Sequence, residues 1–194
     1  MINEIEQFAI ENDIPIIESA GKNFLIDYID MNNCSTILEI GSAIGYSAIV
    51  MASRKSCQHV DTIERSERYY RLALENIEKC NLSEKIIVFH DDALTFDLNK
   101  LNDKYDLIFI DAAKAQYRKF FEKYKVLLAD NGAIILDNID FHGLVTGVKK
   151  TNNRNTIQLV NKIRKFIDWI KNHPDYSVKY YSIGDGIFVV KRKM

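Results

Sequence analysis

The chain is poor in the residues that interrupt or cross-link a fold. Its 194 residues include 2 prolines and 8 glycines. That leaves no proline-rich arm, no collagen-like repeat and no compositional break that marks a linker. Three cysteines, Cys34, Cys57 and Cys80, stand far apart without a CxxC pair. This argues against a disulfide framework and a cysteine zinc site, and a reducing cytoplasm is the expected setting. No apolar run approaches the roughly 20 residues of a membrane span, so no membrane partner is expected. Met1-Ile2-Asn3-Glu4-Ile5-Glu6 is acidic, with no basic segment ahead of an apolar one, and does not read as a secretory signal. Core material is plentiful. Hydrophobic residues make up 47% and aromatic ones 11%, enough for a compact domain and too much for a disordered chain.

The net charge of −1 conceals an asymmetry. Residues 141–194 hold 11 lysines and arginines against 3 acids, whereas residues 1–140 are strongly acidic. A basic end on an acidic body points to an anionic partner. The competing reading is a solvated helix face with a charged tail.

Short, nearly continuous apolar runs at 36–40, 60–64, 86–90, 105–110 and 133–136 read as strands covered on both faces. Helical spacing occupies about 44–55, 66–80 and 115–129. Ser66 is placed to cap the second helix, and Asn131-Gly132 to close the third. Alternating strands and helices predict right-handed crossovers and a parallel sheet. A helix near 154–172 precedes strand-like runs at 178–181 and 187–190. Gly184-Asp185-Gly186 between them is a hairpin signal. The expectation is a single domain over 1–194. It is a doubly wound α/β fold, its sheet mostly parallel, with helices on both faces and an antiparallel C-terminal edge hairpin. Residues 1–30, two helices broken at Pro15, form a lid on the 31–194 core.

Ligands of such sheets sit outside the carboxyl ends of the strands. The first strand runs into Glu39-Ile40-Gly41-Ser42-Ala43-Ile44-Gly45-Tyr46-Ser47 and then a helix. Ala43 stands where a dinucleotide fingerprint needs glycine to approach a pyrophosphate, which weakens a dehydrogenase reading. No Walker lysine is present. Glu64 ends the second strand, where a carboxylate suits a ribose diol. The pattern fits a nucleoside cofactor without pyrophosphate, such as S-adenosylmethionine. A plain strand–turn–helix junction is the alternative.

The fourth strand ends at Asp111 and the fifth at Asp137-Asn138. On neighbouring strands these give two carboxylates and an amide oxygen in one crevice, a hard-oxygen set suited to Mg²⁺. Lys114 follows Asp111 by three residues and is a candidate base. Taken singly, each aspartate reads as a helix cap. The set beside the glycine loop favours a site. His59, His90, His142 and His173 have no metal-ligand spacing, and Trp169 and Tyr176 read as packing for the terminal helix.

Glu39–Ser47, Ile63-Glu64-Arg65, Asp92-Ala93, Phe109–Lys114, Asp137-Asn138 and Ile183–Gly186 together resemble the metal-dependent, catechol-type O-methyltransferases, from about Pro15 to the C-terminus. Pro15-Ile16 and Asn172–Tyr176 are most similar to the bacterial tRNA 5-hydroxyuridine methyltransferases, which make 5-methoxyuridine at the wobble position. The resemblance implies a class I, Rossmann-like fold using S-adenosylmethionine and Mg²⁺ or another divalent such as Mn²⁺, in a cytoplasmic homodimer. It places Glu39, Gly41, Tyr46 and Ser47 around the methionine moiety and Glu64 on the ribose. Asp92 and Ala93 go to the adenine, and Ile16 adds backbone near the cofactor. Asp111, Asp137 and Asn138 are the implied metal ligands, Asp111 also bordering the cofactor, and Lys114 assists deprotonation. The usual family pattern has about twenty further helical residues ahead of this start, and a fuller basic run than 149–158 carries here.

Catechols and 5-hydroxyuridine both present two adjacent oxygens, so the metal set alone does not choose between them. The basic C-terminal third favours tRNA. Lys149, Lys150, Arg154, Lys162, Arg164 and Lys165 are its candidate phosphate contacts. A small catechol-like diol is the alternative acceptor. A non-catalytic nucleoside-binding module is a second alternative, disfavoured because cofactor binding alone needs no divalent metal.

Overall fold

Strand β1 (Thr36–Ile40) has four successive buried residues and no polar face, as a strand covered on both sides requires. It lies between β2 (His59–Glu64) and β4 (Tyr105–Ile110), parallel to both. With β3 (Ile86–His90), β5 (Leu128–Leu136), β6 (Tyr176–Tyr181) and β7 (Ile187–Arg192) it forms one 7-stranded sheet in the order β3-β2-β1-β4-β5-β7-β6. Strand β7 pairs antiparallel with β5 and β6. This is the mostly parallel sheet with an antiparallel edge hairpin expected from the sequence. The computed structural model describes residues 1–193.

Alternate residues of each strand enter two cores. Ile37, Leu107, Phe109 and Ile135 face α1 (Ile2–Glu11), α2 (Ser19–Asn32), α3 (Tyr46–Ala52) and α4 (Glu67–Lys79). Leu38, Ile108, Ile110, Ile134 and Leu136 face α5 (Tyr117–Tyr124) and α6 (Arg154–Lys171). Trp169 and Tyr176 both pack edge-on against Phe121 in the second core. Ser66 caps α4 by accepting from the Tyr69 amide.

One expected boundary is wrong. Asn131-Gly132 does not close a helix. Helix α5 ends at Tyr124, a 3₁₀ turn follows over Lys125–Leu127, and Asn131-Gly132 lies inside β5. Gly132 is not left-handed. It serves a register shift between Tyr105 and Leu107, where a Cβ would sit 3.0 Å from the carbonyl oxygens of both Tyr105 and Asp106. The same dipeptide that signals a turn here permits a close strand approach.

Candidate active site

The strand order reverses between β1 and β4, and their carboxyl ends open into a cavity of about 460 Å³. Its wall includes Ile16, Gly41, Ser47, Glu64, Asp92, Ala93 and Asp111. The turn from β1 is built by three left-handed residues, Gly41, Ala43 and Gly45. A Cβ at Gly41 would lie 2.5 Å from the carbonyl oxygen of Asp111, so only glycine lets β1 and β4 close here. Glu64 reinforces the turn. One carboxylate oxygen accepts from the Ala43 amide at 2.9 Å, the other from the Ser66 amide at 2.7 Å. Each oxygen retains capacity for a ligand hydroxyl.

The adjacent strands β4 and β5 deliver Asp111 and Asp137. Burial raises the carboxyls of both, Asp137 to about 7. The charge of Asp111 adds to the rise at Asp137, while Lys114 works against it at both positions. The Asn138 side chain works against the rise at Asp111, and its backbone amide donates to Asp137 Oδ1 at 2.7 Å. Neither aspartate caps a helix, since the 3₁₀ turn after β4 is preceded by Ala113 and Asp137 binds its own neighbour. Two crowded carboxylates short of positive charge suit a dipositive cation with oxygen preference. Among the described residues no group of three His, Cys, Asp or Glu is placed to hold a metal. The donor set here is two carboxylates and an amide.

The profile of the O-methyltransferase family matches residues 1–193. A Staphylococcus aureus structure, provisionally described as a caffeoyl-CoA O-methyltransferase, is 37% identical and superposes with a TM-score of 0.92, over 99% of this chain and 92% of that one. An O-methyltransferase from Bacillus cereus in complex with SAH is 28% identical, with a TM-score of 0.83 over 99% and 90% of the two chains. The caffeoyl-CoA O-methyltransferase of Populus kitakamiensis is 27% identical, across 92% of this chain and 77% of that protein. The chain belongs to the O-methyltransferase family. It is an S-adenosylmethionine-dependent O-methyltransferase.

Two residues expected around the cofactor, Glu39 and Tyr46, do not line the cavity. Glu39 lies beneath the cavity wall, fully buried, accepting from Ser47 Oγ at 2.5 Å and Thr62 Oγ1 at 2.6 Å. Tyr46 turns away from the cavity. Its hydroxyl donates to Glu6 at 2.6 Å and accepts from Lys22 Nζ at 2.8 Å. The turn thus leaves Ser47 on the wall, and both other side chains brace it from behind. Gly41, Ser47, Glu64, Asp92, Ala93 and Ile16 all border the cavity.

The candidate RNA contacts divide. Lys149, Lys150, Arg154, Lys162 and Lys165 are exposed on the α6 side. Arg164 donates from Nε and one Nη to the carbonyls of Leu144 and Val145, at 2.9–3.1 Å, and braces the loop after β5. Arg164 is exposed as well, with its Nε and one Nη tied to the loop.

Sequence reasoning missed several supports. Tyr117 donates to the Asp137 carbonyl at 2.6 Å. Tyr124 donates to the Ala93 carbonyl at 2.6 Å, while Lys123 binds the carbonyls of Leu94 and Phe96 at 2.9 and 2.7 Å. Each joins a side chain to a backbone carbonyl some 20–31 residues away, a pairing with no local sequence signal.

Proposed function

We propose that this methyltransferase moves the sulfonium methyl of S-adenosylmethionine to one of two adjacent acceptor oxygens, and that Asp111, Asp137 and Asn138 hold a divalent cation, Mg²⁺ or Mn²⁺, for that step. The observation that carries this reading is the pair of carboxylates that the neighbouring strands β4 and β5 bring to their carboxyl ends, Asp111 on the cavity wall and Asp137 on the strand beside it. When bound, the cation supplies charge that favours ionisation of the acceptor hydroxyl.

The chain's own residues do the rest. Glu64 receives the ribose hydroxyls, Asp92 and Ala93 border the adenine, and Gly41 and Ser47 border the methionine portion, with Ile16 across the cavity. Lys114 takes the proton from the acceptor hydroxyl. The new oxygen–methyl bond forms as the sulfur–methyl bond breaks, and S-adenosylhomocysteine leaves as a neutral thioether. Positioning these atoms in line supplies much of the rate.

The acceptor placed first is 5-hydroxyuridine at the tRNA wobble position, whose O5 and O4 are adjacent. The exposed cations Lys149, Lys150, Arg154, Lys162 and Lys165 favour it. A small catechol-type diol is the second reading, favoured by relatives whose names specify caffeoyl-CoA. The test is transfer of labelled methyl to hydroxylated tRNA and to a catechol, each with Mg²⁺ and with EDTA. EDTA-sensitive labelling of tRNA well above catechol supports the first reading. Labelling of catechol alone supports the second. Labelling that survives EDTA overturns the metal.

A further inference from the structure

The loop after β5 carries Asn138 and is conformationally costly. Asn138, Phe141 and His142 all have positive φ, at 60°, 45° and 57°. Such residues persist only where their surroundings hold them. What holds this loop is the turn joining β6 to β7. The Ile139 amide donates to the Gly186 carbonyl at 2.9 Å, and the Asp140 amide to the Asp185 carbonyl at 2.8 Å. The Asp185 carboxylate takes the His142 amide on Oδ1. Its side chain is only 8% exposed, and Oδ2, without a hydrogen bond, faces His142 Nδ1 at 3.4 Å. Tyr180 adds a bond from its hydroxyl to Asp140 Oδ2 at 2.5 Å. Gly186 has φ 81°, which strains any other residue, and a Cβ there would also press on the Asp140 carboxylate at 2.8 Å.

We propose that Asp185 is a positioning residue. It clasps the strained 138–142 loop and thereby fixes Asn138 beside Asp111 and Asp137. The Ile183–Gly186 segment acquires a purpose that the hairpin alone does not require. A β-turn needs glycine at its left-handed positions, but not a buried carboxylate reaching across to another strand's loop. The inference rests on the proposed cation site, and its test separates the two.

The measurement is Mn²⁺ binding to the full chain without acceptor, followed by electron paramagnetic resonance, with SAH affinity measured in parallel. Asp185 does not border the cofactor cavity. Asp185→Ala is expected to weaken Mn²⁺ binding about 10-fold or more, as loss of a group that orients a ligand does, while SAH affinity stays at the wild-type level. Asp185→Asn keeps an oxygen for the His142 amide and is expected to restore most of the loss. Tyr180→Phe removes one exposed hydroxyl, carries the same test should Asp185→Ala not fold, and is expected to weaken Mn²⁺ by a smaller factor. Wild-type Mn²⁺ affinity in both Asp185→Ala and Tyr180→Phe, or in Tyr180→Phe when Asp185→Ala does not fold, overturns the clasp and leaves the cation site standing. Parallel loss of SAH and Mn²⁺ in a folded Asp185→Ala overturns it as well. No Mn²⁺ binding to the wild type overturns the clasp and the cation site together.

Discussion

The Tyr46 hydroxyl donates to the Glu6 carboxylate at 2.6 Å, joining the first residue of α3 to the N-terminal helix forty positions earlier. Lys22 completes the contact, 2.9 Å from Glu6 and 2.8 Å from the Tyr46 oxygen. All three are at least partly buried, so removing the hydroxyl strips two groups of a partner at once. Tyr46→Phe should cost about 1–2 kcal/mol, or roughly 3–6 °C in thermal midpoint. SAH affinity by calorimetry should stay near wild type, because Tyr46 does not touch the cavity. A large loss of SAH affinity with an unchanged midpoint would return Tyr46 to the cofactor.

Glu39 predicts a pH dependence. Burial pushes its carboxyl up to about 7, against the Ser47 and Thr62 hydroxyls that favour the charged form. The folded chain therefore holds this proton more tightly than the unfolded chain. Its contribution is full below about pH 4.5, falls as pH rises toward 7, and is gone above. That window carries on the order of 3 kcal/mol. Glu39→Gln should flatten the decline in urea stability between pH 5 and 7.5. An identical slope in both proteins would place the titration elsewhere.

Lys114 stands within electrostatic reach of both Asp111 and Asp137. As the group that accepts the acceptor's proton, it acts only in turnover. Lys114→Met should lower kcat by about 10²- to 10⁴-fold, with SAH affinity retained. Unchanged kcat on every acceptor would remove it from the chemistry.

The exposed cations of the α6 side test the acceptor. Replacing Lys149, Lys150, Lys162 and Lys165 by alanine should raise KM for tRNA and flatten its dependence on salt, without altering KM for a catechol. Arg164 belongs outside this set, because its replacement would free the Leu144–Val145 carbonyls. A tRNA KM that does not move would return these lysines to a solvated helix face.

The sheet was legible because its strands are short apolar runs, and β1, β3 and β4 fall where those runs do. Gly41, Glu64 and Asp111 could be placed on the cavity wall from the sequence because they end strands or follow one directly, where ligands of such sheets bind. Tyr46 and Glu39 were not legible, because most of the partners that hold them off the cavity, Thr62, Lys22 and Glu6, lie 23–40 residues distant. The Asn131-Gly132 error has the same origin. Local chemistry offers a turn, and a register shift against Tyr105, a strand away, claims the glycine instead. The acceptor stays beyond the pattern because adjacent oxygens occur in both candidate classes.

The central claim is that one crevice holds both the nucleoside cofactor and a divalent cation. A crystal structure with SAH and Mn²⁺, with anomalous data at the manganese edge, tests it directly. The account predicts SAH along Glu64, Asp92 and Ala93, and an anomalous peak enclosed by Asp111, Asp137 and Asn138. SAH bound there with manganese absent from those three residues, at saturating Mn²⁺, would contradict it.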